Sequence, residues 1–382
     1  MNKVTQEIQT LLFYMFRVFP IKNNKVVINS YMGRGYGGEG KAIVDQLLKQ
    51  SVDYDFVWLC DNETVAAPKG IRYIKEKSIQ SIYELATAKI WIDNRRKSGC
   101  VRKRKGQFYI QTWHGDVCIK HVEGDAKDGL SEEYIKSAKR DSQMADVFVS
   151  GSEWRTKNYR QAFWYDGEII KGDLYKHFSS KTDYGRDQTQ VKDTLGLPEE
   201  AHFALYAPTF RNDHNLEVYS LDYKRLVKTL EKKFGGKWCV VIRLHPNISE
   251  LHDRIAYDNE MIFDGSQYGQ INDLIENCDI LISDFSGVIF DGFKSKKRVV
   301  LFASDFDKYI SEERGLYFDF DKLPAVMTRT NDELEQAVLE FDDVSYDNAR
   351  QLFVDNLGYY SADGAELVAN RINHVVQGGK IL

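Results

Sequence analysis

No run of about 18 consecutive apolar residues interrupts this 382-residue sequence, so no membrane-spanning helix is expected. No CxxC pair occurs either. The five cysteines (Cys60, Cys100, Cys118, Cys239 and Cys278) are scattered and odd in number. That argues against a disulfide framework or a zinc site and fits a reducing cytoplasm. Cys60, Cys239 and Cys278 sit in or beside apolar runs and read as core fillers. The N-terminus lacks a basic segment followed by a small-residue cleavage site, so export is not expected. Positive charge is not in excess: 52 Lys and Arg face 57 Asp and Glu, a formal net charge of −5. This argues against a general nucleic-acid binder, although local basic patches remain open. Internal repeats and low-complexity tracts are also lacking. With 43% hydrophobic and 29% charged residues, the composition is that of a folded chain, and its length suits two domains.

What the sequence does contain is alternation. β-rich apolar runs read VVINS (26–30), DFVWLC (55–60), KIWID (89–93), QFYIQTW (107–113) and VFVSG (147–151). Between them, Ile43, Val44, Leu47 and Leu48 mark one amphipathic helix and SIQSIYELATA (78–88) another. A polar stretch over 179–190 reads as a linker and leads to a helical turn closed by LGLP (195–198). The runs then resume as HFALYAP (202–208), WCVVIRLH (238–245), DILISDF (279–285) and RVVLF (298–302). Leu226, Val227, Leu230 and Phe234 mark an intervening helix. The pattern predicts an α/β chain of two doubly wound Rossmann-like domains facing a cleft, over 1–178 and 191–382. Ligands of such sheets bind beyond the carboxyl ends of the strands, so the residues just after each strand carry the functional information.

Two surface features point toward membranes without deciding the matter. Ile8, Leu11, Leu12, Met15, Phe16 and Phe19 recur at helical spacing until Pro20. This is either a helix packed on the first domain or one lying in the membrane interface, with Arg17 reaching the headgroups. The basic run RRKSGCVRKRK (95–105) is either a solvated loop or a patch attracting anionic lipid or a diphosphate-linked acceptor.

Five motifs follow strands. In QTWHGDVCIK (111–120), His114 falls at a sheet edge, where an imidazole can take a proton from a hydroxyl near neutral pH. Gly115 allows close backbone approach, and Lys120 follows. In IRLHPN (242–247), Arg243 and His245 alternate along a strand that Pro246 ends, which places a cation and an imidazole together for a phosphate. In ISDFSGVIFDGF (282–293), Asp284 or Ser286 can cap a helix, and the N–H groups of Ser286 and Gly287 can hold an anion. Asp291 sits within that helix, placed for a base or ribose edge. In YAPTFRND (206–213), Thr209 crosses the mouth of the cleft and Arg211 is a phosphate-ligand candidate. The glycine-rich loop at 29–43, containing Ser30 and Gly33, fits neither nucleotide-loop pattern and reads as an acceptor-side loop.

Taken in order, Ser30-x-x-Gly33, QTWHG with Lys120, YAPTFR, Arg-x-His-Pro, SDFSGVIFD and RGLYFD (314–319) resemble the CDP-glycerol glycerophosphotransferase family, builders of teichoic acids and related capsules. The resemblance implies a glycosyltransferase-B-like fold and transfer of glycerol phosphate, or another alditol phosphate, from a CDP-activated donor, with release of CMP. It implies an undecaprenyl-diphosphate-linked or polymeric acceptor, no cofactor and no tightly bound metal. It also implies peripheral attachment to the cytoplasmic face of a bacterial membrane. The family's two histidines correspond by motif to His114 and His245, and its donor contacts to Arg211, Ser286, Gly287 and Asp291. The chain departs from the pattern where many members carry Gly-x-Pro-Arg-x-Asp: it reads IIKGDLYKHF (169–178). Asp116 and Cys118 also replace small or apolar residues. These departures bear on the acceptor and the alditol more than on the chemistry. The alternative expectation is a glycosyltransferase of the same fold using a UDP-sugar.

Overall fold

The computed structural model describes residues 3–30, 33, 35–50, 52–61, 68–175, 187–211, 217–244, 255–312 and 315–378. The chain divides into two compact units. Met1–Asp116, Val122–Lys176 and Tyr359–Leu382 form the first, and Val117–His121 and His177–Gly358 the second. The expected boundaries, 1–178 and 191–382, are corrected at two places. The short segment after His114 belongs to the second unit, and the last helix of the chain belongs to the first. Most of the expected linker at 179–190 lies outside the described residues, and its end is already helical.

The first unit runs α1 (Lys3–Met15), β1 (Lys22–Asn29), α2 (Gly38–Leu48), β2 (Asp55–Cys60), β3 (Ile71–Lys75), α3 (Ile79–Thr87), β4 (Ala88–Asp93), β5 (Phe108–Gln111), α4 (Glu132–Met144), β6 (Val147–Ser150), α5 (Glu153–Ala162) and β7 (Glu168–Lys171). Among the described residues its strands form one seven-stranded sheet in the order β3-β2-β1-β4-β5-β6-β7, with every pairing parallel. Parallel sheets carry helices on both faces, so their central strands are apolar throughout. Val26, Val27 and Ile28 of β1 and Trp91 of β4 are accordingly fully buried. Serines stop the loops and start the helices. Ser78, Ser131 and Ser152 accept N–H bonds from Ser81, Tyr134 and Arg155 at the starts of α3, α4 and α5.

The second unit contains α6 (Gln188–Leu195), β8 (His202–Ala207), α7 (Tyr223–Phe234), β9 (Trp238–Ile242), β10 (Ile262–Asp264), α8 (Ile271–Asn277), β11 (Ile280–Ser283), α9 (Val288–Lys294), β12 (Arg298–Phe302), α10 (Phe306–Glu312), β13 (Val326–Thr328), α11 (Asn331–Leu339) and α12 (Asp343–Leu357). Its described strands form a six-stranded parallel sheet in the order β10-β9-β8-β11-β12-β13. Gly196, at φ 70°, closes α6 as the LGLP motif suggested. After Gly358, at φ 65°, the chain returns to the first unit and ends in α13 (Gly364–Val376), packed against α2.

Both sheets thus share one strand order, the doubly wound order with a switch point. It lies between β1 and β4 in the first sheet and between β8 and β11 in the second. Three strands, β5, β9 and β11, are each three residues shorter than expected. β5 stops at Gln111 because Trp113 takes φ 57°, which no strand accommodates. β9 stops at Ile242, so Arg243 lies beyond it rather than alternating within it. His245 lies outside the described residues.

The N-terminal helix divides its apolar residues between two sides. Phe13 is buried in the first unit's core with Val27, Trp91 and Tyr109, and Leu12 and Phe16 pack against that cluster. Ile8, Leu11, Met15 and Val18 remain exposed. The basic run is largely tied down within the unit. Arg96 pairs with Glu123 at 3.0 Å and Asp141 at 3.2 Å, Lys97 with Asp93, and Lys103 with Asp146. Arg104 donates to the carbonyls of Phe19 and Ala86.

Candidate active site

In the first unit, the chain leaves β5 and bends sharply. Trp113 at φ 57° and Gly115 at φ 80° flank His114. A tryptophan at positive φ is strained and persists only when its surroundings hold it. Here its N–H donates to Gln111 Oε1 at 2.8 Å, and its buried indole meets Phe163 edge-on at 4.7 Å. The His114 ring stacks on the indole, with centroids 4.4 Å apart and planes 27° apart. Its Nδ1 lies 2.8 Å from the carbonyl oxygen of Asn94. A carbonyl can only accept, so Nδ1 carries the proton and Nε2 is left as the basic nitrogen. Desolvation by the surrounding protein lowers the imidazole pKa below its ordinary value. The positive charges of Arg95 and Arg155 lower it further, and the bond to Asn94 opposes them. His114 is nonetheless exposed to solvent. A neutral, oriented and accessible imidazole at neutral pH is what proton abstraction requires.

The surroundings of His114 are polar and braced. Asn94, just past β4, donates its amide to Glu39 Oε2 at 2.9 Å and to Ser30 Oγ at 3.2 Å. Glu39 Oε1 accepts the Gly115 N–H at 3.1 Å and the Tyr175 hydroxyl. Arg155, only 1% exposed, donates to the carbonyls of Asp116 and Gly115. Ser30 and Gly33, expected on the acceptor side, are both buried. The Ser30 hydroxyl donates to Gly37 O at 2.8 Å. A Cβ at Gly33 would lie 2.6 Å from backbone atoms of Cys60 and Asp61. Both residues are thus packed within the first unit.

In the second unit, the switch-point residues hold one another. Asp284 Oδ1 accepts the Thr209 N–H at 2.8 Å and the Thr209 hydroxyl at 2.5 Å. Arg211 is buried, and its guanidinium faces inward. It donates through Nε to Asp305 at 2.7 Å, through Nη1 to Thr209 O at 2.7 Å, and through Nη2 to Asp305 and Asp284, each at 2.9 Å. The arginine, expected as a phosphate-ligand candidate, is a strut between two aspartates. Arg243 likewise bonds inward, its Nη1 donating to Gly265 O at 2.9 Å and to Tyr268 O. Burial lowers its pKa, against the opposing charge of Asp264.

The SDFSG segment is also rearranged relative to expectation. Asp284 does not cap α9, because Thr209 and Arg211 occupy it. The helix starts at Val288 with Gly287 as its cap, and Ser286 Oγ is 3.4 Å from the Val288 N–H. Asp291 lies in the first turn of α9. Lys120, expected beside the first domain's site, belongs to the second unit. It pairs with Leu316 in an isolated antiparallel bridge, and its amine sits 4.6 Å from the Tyr309 ring centre. Tyr309 in turn stacks on Phe285 at 3.6 Å.

Sequence reasoning missed Glu39, Asn94 and Tyr175. Asn94 was within reach, because it directly follows an expected strand. Glu39 stood in the glycine-rich loop, where nothing in the residue pattern marks one carboxylate above another. Tyr175 carries no local signal at all.

A parallel sheet with polar side chains gathered at its switch point is the architecture of nucleotide-binding α/β proteins, and this chain uses it twice. The chain belongs to the CDP-Glycerol:Poly(glycerophosphate) glycerophosphotransferase family, whose model matches residues 11–376. It is 27% identical over 360 residues to the teichoic acid poly(glycerol phosphate) polymerase of Bacillus subtilis, a match that covers 90% of this chain and 48% of that protein. The chain thus spans about half the length of that relative. It is 26% identical over 370 residues to the teichoic acid glycerol-phosphate transferase of Staphylococcus aureus, covering 92% of this chain and 94% of that one. The solved structure of the wall teichoic acid polymerase TagF superposes with a TM-score of 0.82 at 24% identity, over 99% of both chains. That likeness concerns the fold, and it agrees with the two Rossmann-like units expected from the sequence.

Proposed function

We propose that this protein transfers glycerol phosphate, or a related alditol phosphate, from a CDP-activated donor to a hydroxyl of a teichoic-acid-type acceptor, releasing CMP. The observation that carries the reading is His114: a histidine at a strand's carboxyl end, with its Nδ1 proton held by Asn94 O and its Nε2 left basic. In the proposed step the acceptor hydroxyl loses its proton to Nε2 as its oxygen bonds to the alditol-bearing phosphorus. The bond from that phosphorus to the bridging oxygen breaks, and its electron pair leaves with CMP. Phosphoryl transfer depends chiefly on positioning and electrostatics, so a well-aimed base and a charged donor site account for much of the catalysis.

The second unit is the proposed donor site, with Thr209, Ser286, Gly287 and Asp291 beside the switch-point ends of β8 and β11. Arg211 serves it indirectly by holding Asp284 and Asp305. His245 is proposed, on family resemblance, as a ligand of the transferring phosphate. The proposed acceptor is undecaprenyl-diphosphate-linked or polymeric, reached from the cytoplasmic face of the membrane. The exposed stripe on α1 supports a peripheral attachment, whereas the paired basic run does not.

The test is a release assay with CDP-glycerol, CDP-ribitol and UDP-sugars, with and without lipid-linked acceptor. CMP release from a CDP-alditol is expected. Release of UDP alone would overturn the reading. His114→Ala should lose about 100- to 10,000-fold in turnover, the usual worth of a general base, while still binding donor.

A further inference from the structure

We infer that Glu39 is a positioning residue for His114, holding through Asn94 and Gly115 the backbone that fixes the imidazole's tautomer and aim. The inference rests on the reading of His114 as the base and adds a residue to it. Glu39 lies in the first turn of α2 and is only 1% exposed. Its carboxylate gathers three segments: Asn94 after β4, Gly115 after β5 and Tyr175 after β7. All three partners donate, which suits an ionised carboxylate, because that group only accepts. One of them is the residue that follows the histidine. Another is the residue whose carbonyl holds the histidine ring. A single side chain therefore grips His114 from both sides.

A purely structural role fits this placement poorly. Withdrawing a carboxylate from water is costly even when it is hydrogen-bonded, and an apolar side chain would carry no such penalty. Burial pushes the Glu39 carboxyl pKa upward, and the bonds from Asn94 and Tyr175 oppose that push. The sheet topology explains why the grip is possible. Asn94 follows the strand at the switch point, His114 follows its neighbour, and α2 begins after β1 on the other side of the same switch. Without Glu39, the Asn94 amide and the Gly115 N–H lose their shared acceptor. The ring is then free to change tautomer or turn.

Glu39→Gln keeps the size and exchanges one acceptor oxygen for a donor that faces other donors. For CMP release from CDP-glycerol, kcat should fall about 10- to 100-fold, a share of what a general base contributes, with KM for the donor within about threefold. In the His114→Ala background the same change should have no further effect, because the two residues act as one unit. The direct readout is nitrogen NMR of the labelled histidine. The native protein should show a single tautomer with the proton on Nδ1, and Glu39→Gln a mixture, with the acid limb of kcat/KM displaced. Tyr175→Phe removes one donor to the same carboxylate and should move all three readouts less far in the same direction. It serves as the test if Glu39→Gln fails to fold. An unchanged tautomer, with kcat within about twofold of native, overturns the inference. Normal turnover in His114→Ala overturns the base reading instead, and the tautomer measurement still decides whether Glu39 holds the ring.

Discussion

Arg211 shows how a residue singled out for its chemistry is also bound into the fold. An arginine after a strand in a YAPTFR motif is a natural phosphate ligand, because its fork matches two oxygens at once. In the fold the fork meets two aspartates instead, with side-chain exposures of 7% for Arg211, 3% for Asp284 and 11% for Asp305. The Phe285 and Tyr309 rings lie 5.0 and 4.9 Å from the guanidinium carbon. Removing one partner from a buried ion pair strands the others. Arg211→Met should therefore cost about 3–5 kcal/mol of unfolding free energy, read from the urea midpoint. Retained stability with a raised KM for the donor would restore the ligand role. The same contrast governs what the sequence disclosed about the site. His114 could be singled out as a candidate because a Trp-His-Gly motif, with Lys120 after it, follows an expected strand. The grip on it could not be, because Glu39, Asn94 and Tyr175 are common polar residues that meet only through the sheet.

At the scale of elements, α1 is the least settled piece, since it has two apolar faces and only one core to bury. Phe13, Leu12 and Phe16 are used by the first unit. Ile8, Leu11 and Met15, with Val18 in the 3-10 turn that follows, form the outer stripe, exposed by 54%, 60%, 56% and 81%. Helical spacing alone could not separate these sets, because both recur at three and four residues. If the stripe rests in a membrane interface, Leu11→Asp with Met15→Asp should abolish sedimentation with phosphatidylglycerol vesicles. The melting temperature should barely move, since exposed substitutions change stability by about 0.5 kcal/mol or less. Undiminished vesicle binding would remove the stripe from the account. Strand legibility follows a related rule. The nine expected strands are all present, and the four that sequence reasoning missed, β3, β7, β10 and β13, are the outermost strands of the two sheets. Edge strands are covered on fewer sides and are kept short, so β7 begins and ends on exposed residues and β10 and β13 have three residues each. They carry too little apolar sequence to stand out.

At the scale of the whole molecule, chain order and unit membership part company twice, and the second departure has a measurable consequence. α13 comes last in sequence but lies in the first unit, where Ala365, Val368, Ala369 and Ile372 are fully buried. Its approach is fixed by backbone as well as by side chains. Gly364 donates its N–H to Asp173 O at 2.9 Å, and Tyr360 donates its N–H to Gly151 O at 2.8 Å. A Cβ at Gly364 would lie 2.4 Å from Gly172 O, so the position has no room for any other residue. The first unit is therefore incomplete until the chain has passed through the second. Ile372→Ala, which leaves a cavity where a fully buried side chain stood, should cost about 2–5 kcal/mol. That loss should appear in the calorimetric transition of the first unit and leave that of the second in place. A chain ending at Gly358 should lose the first transition altogether, because several side chains worth about 1.5–3 kcal/mol each would have their partners removed. That loss is comparable with the whole stability of a domain, about 5–15 kcal/mol. Two intact transitions in the shortened chain would show that α13 merely decorates the unit.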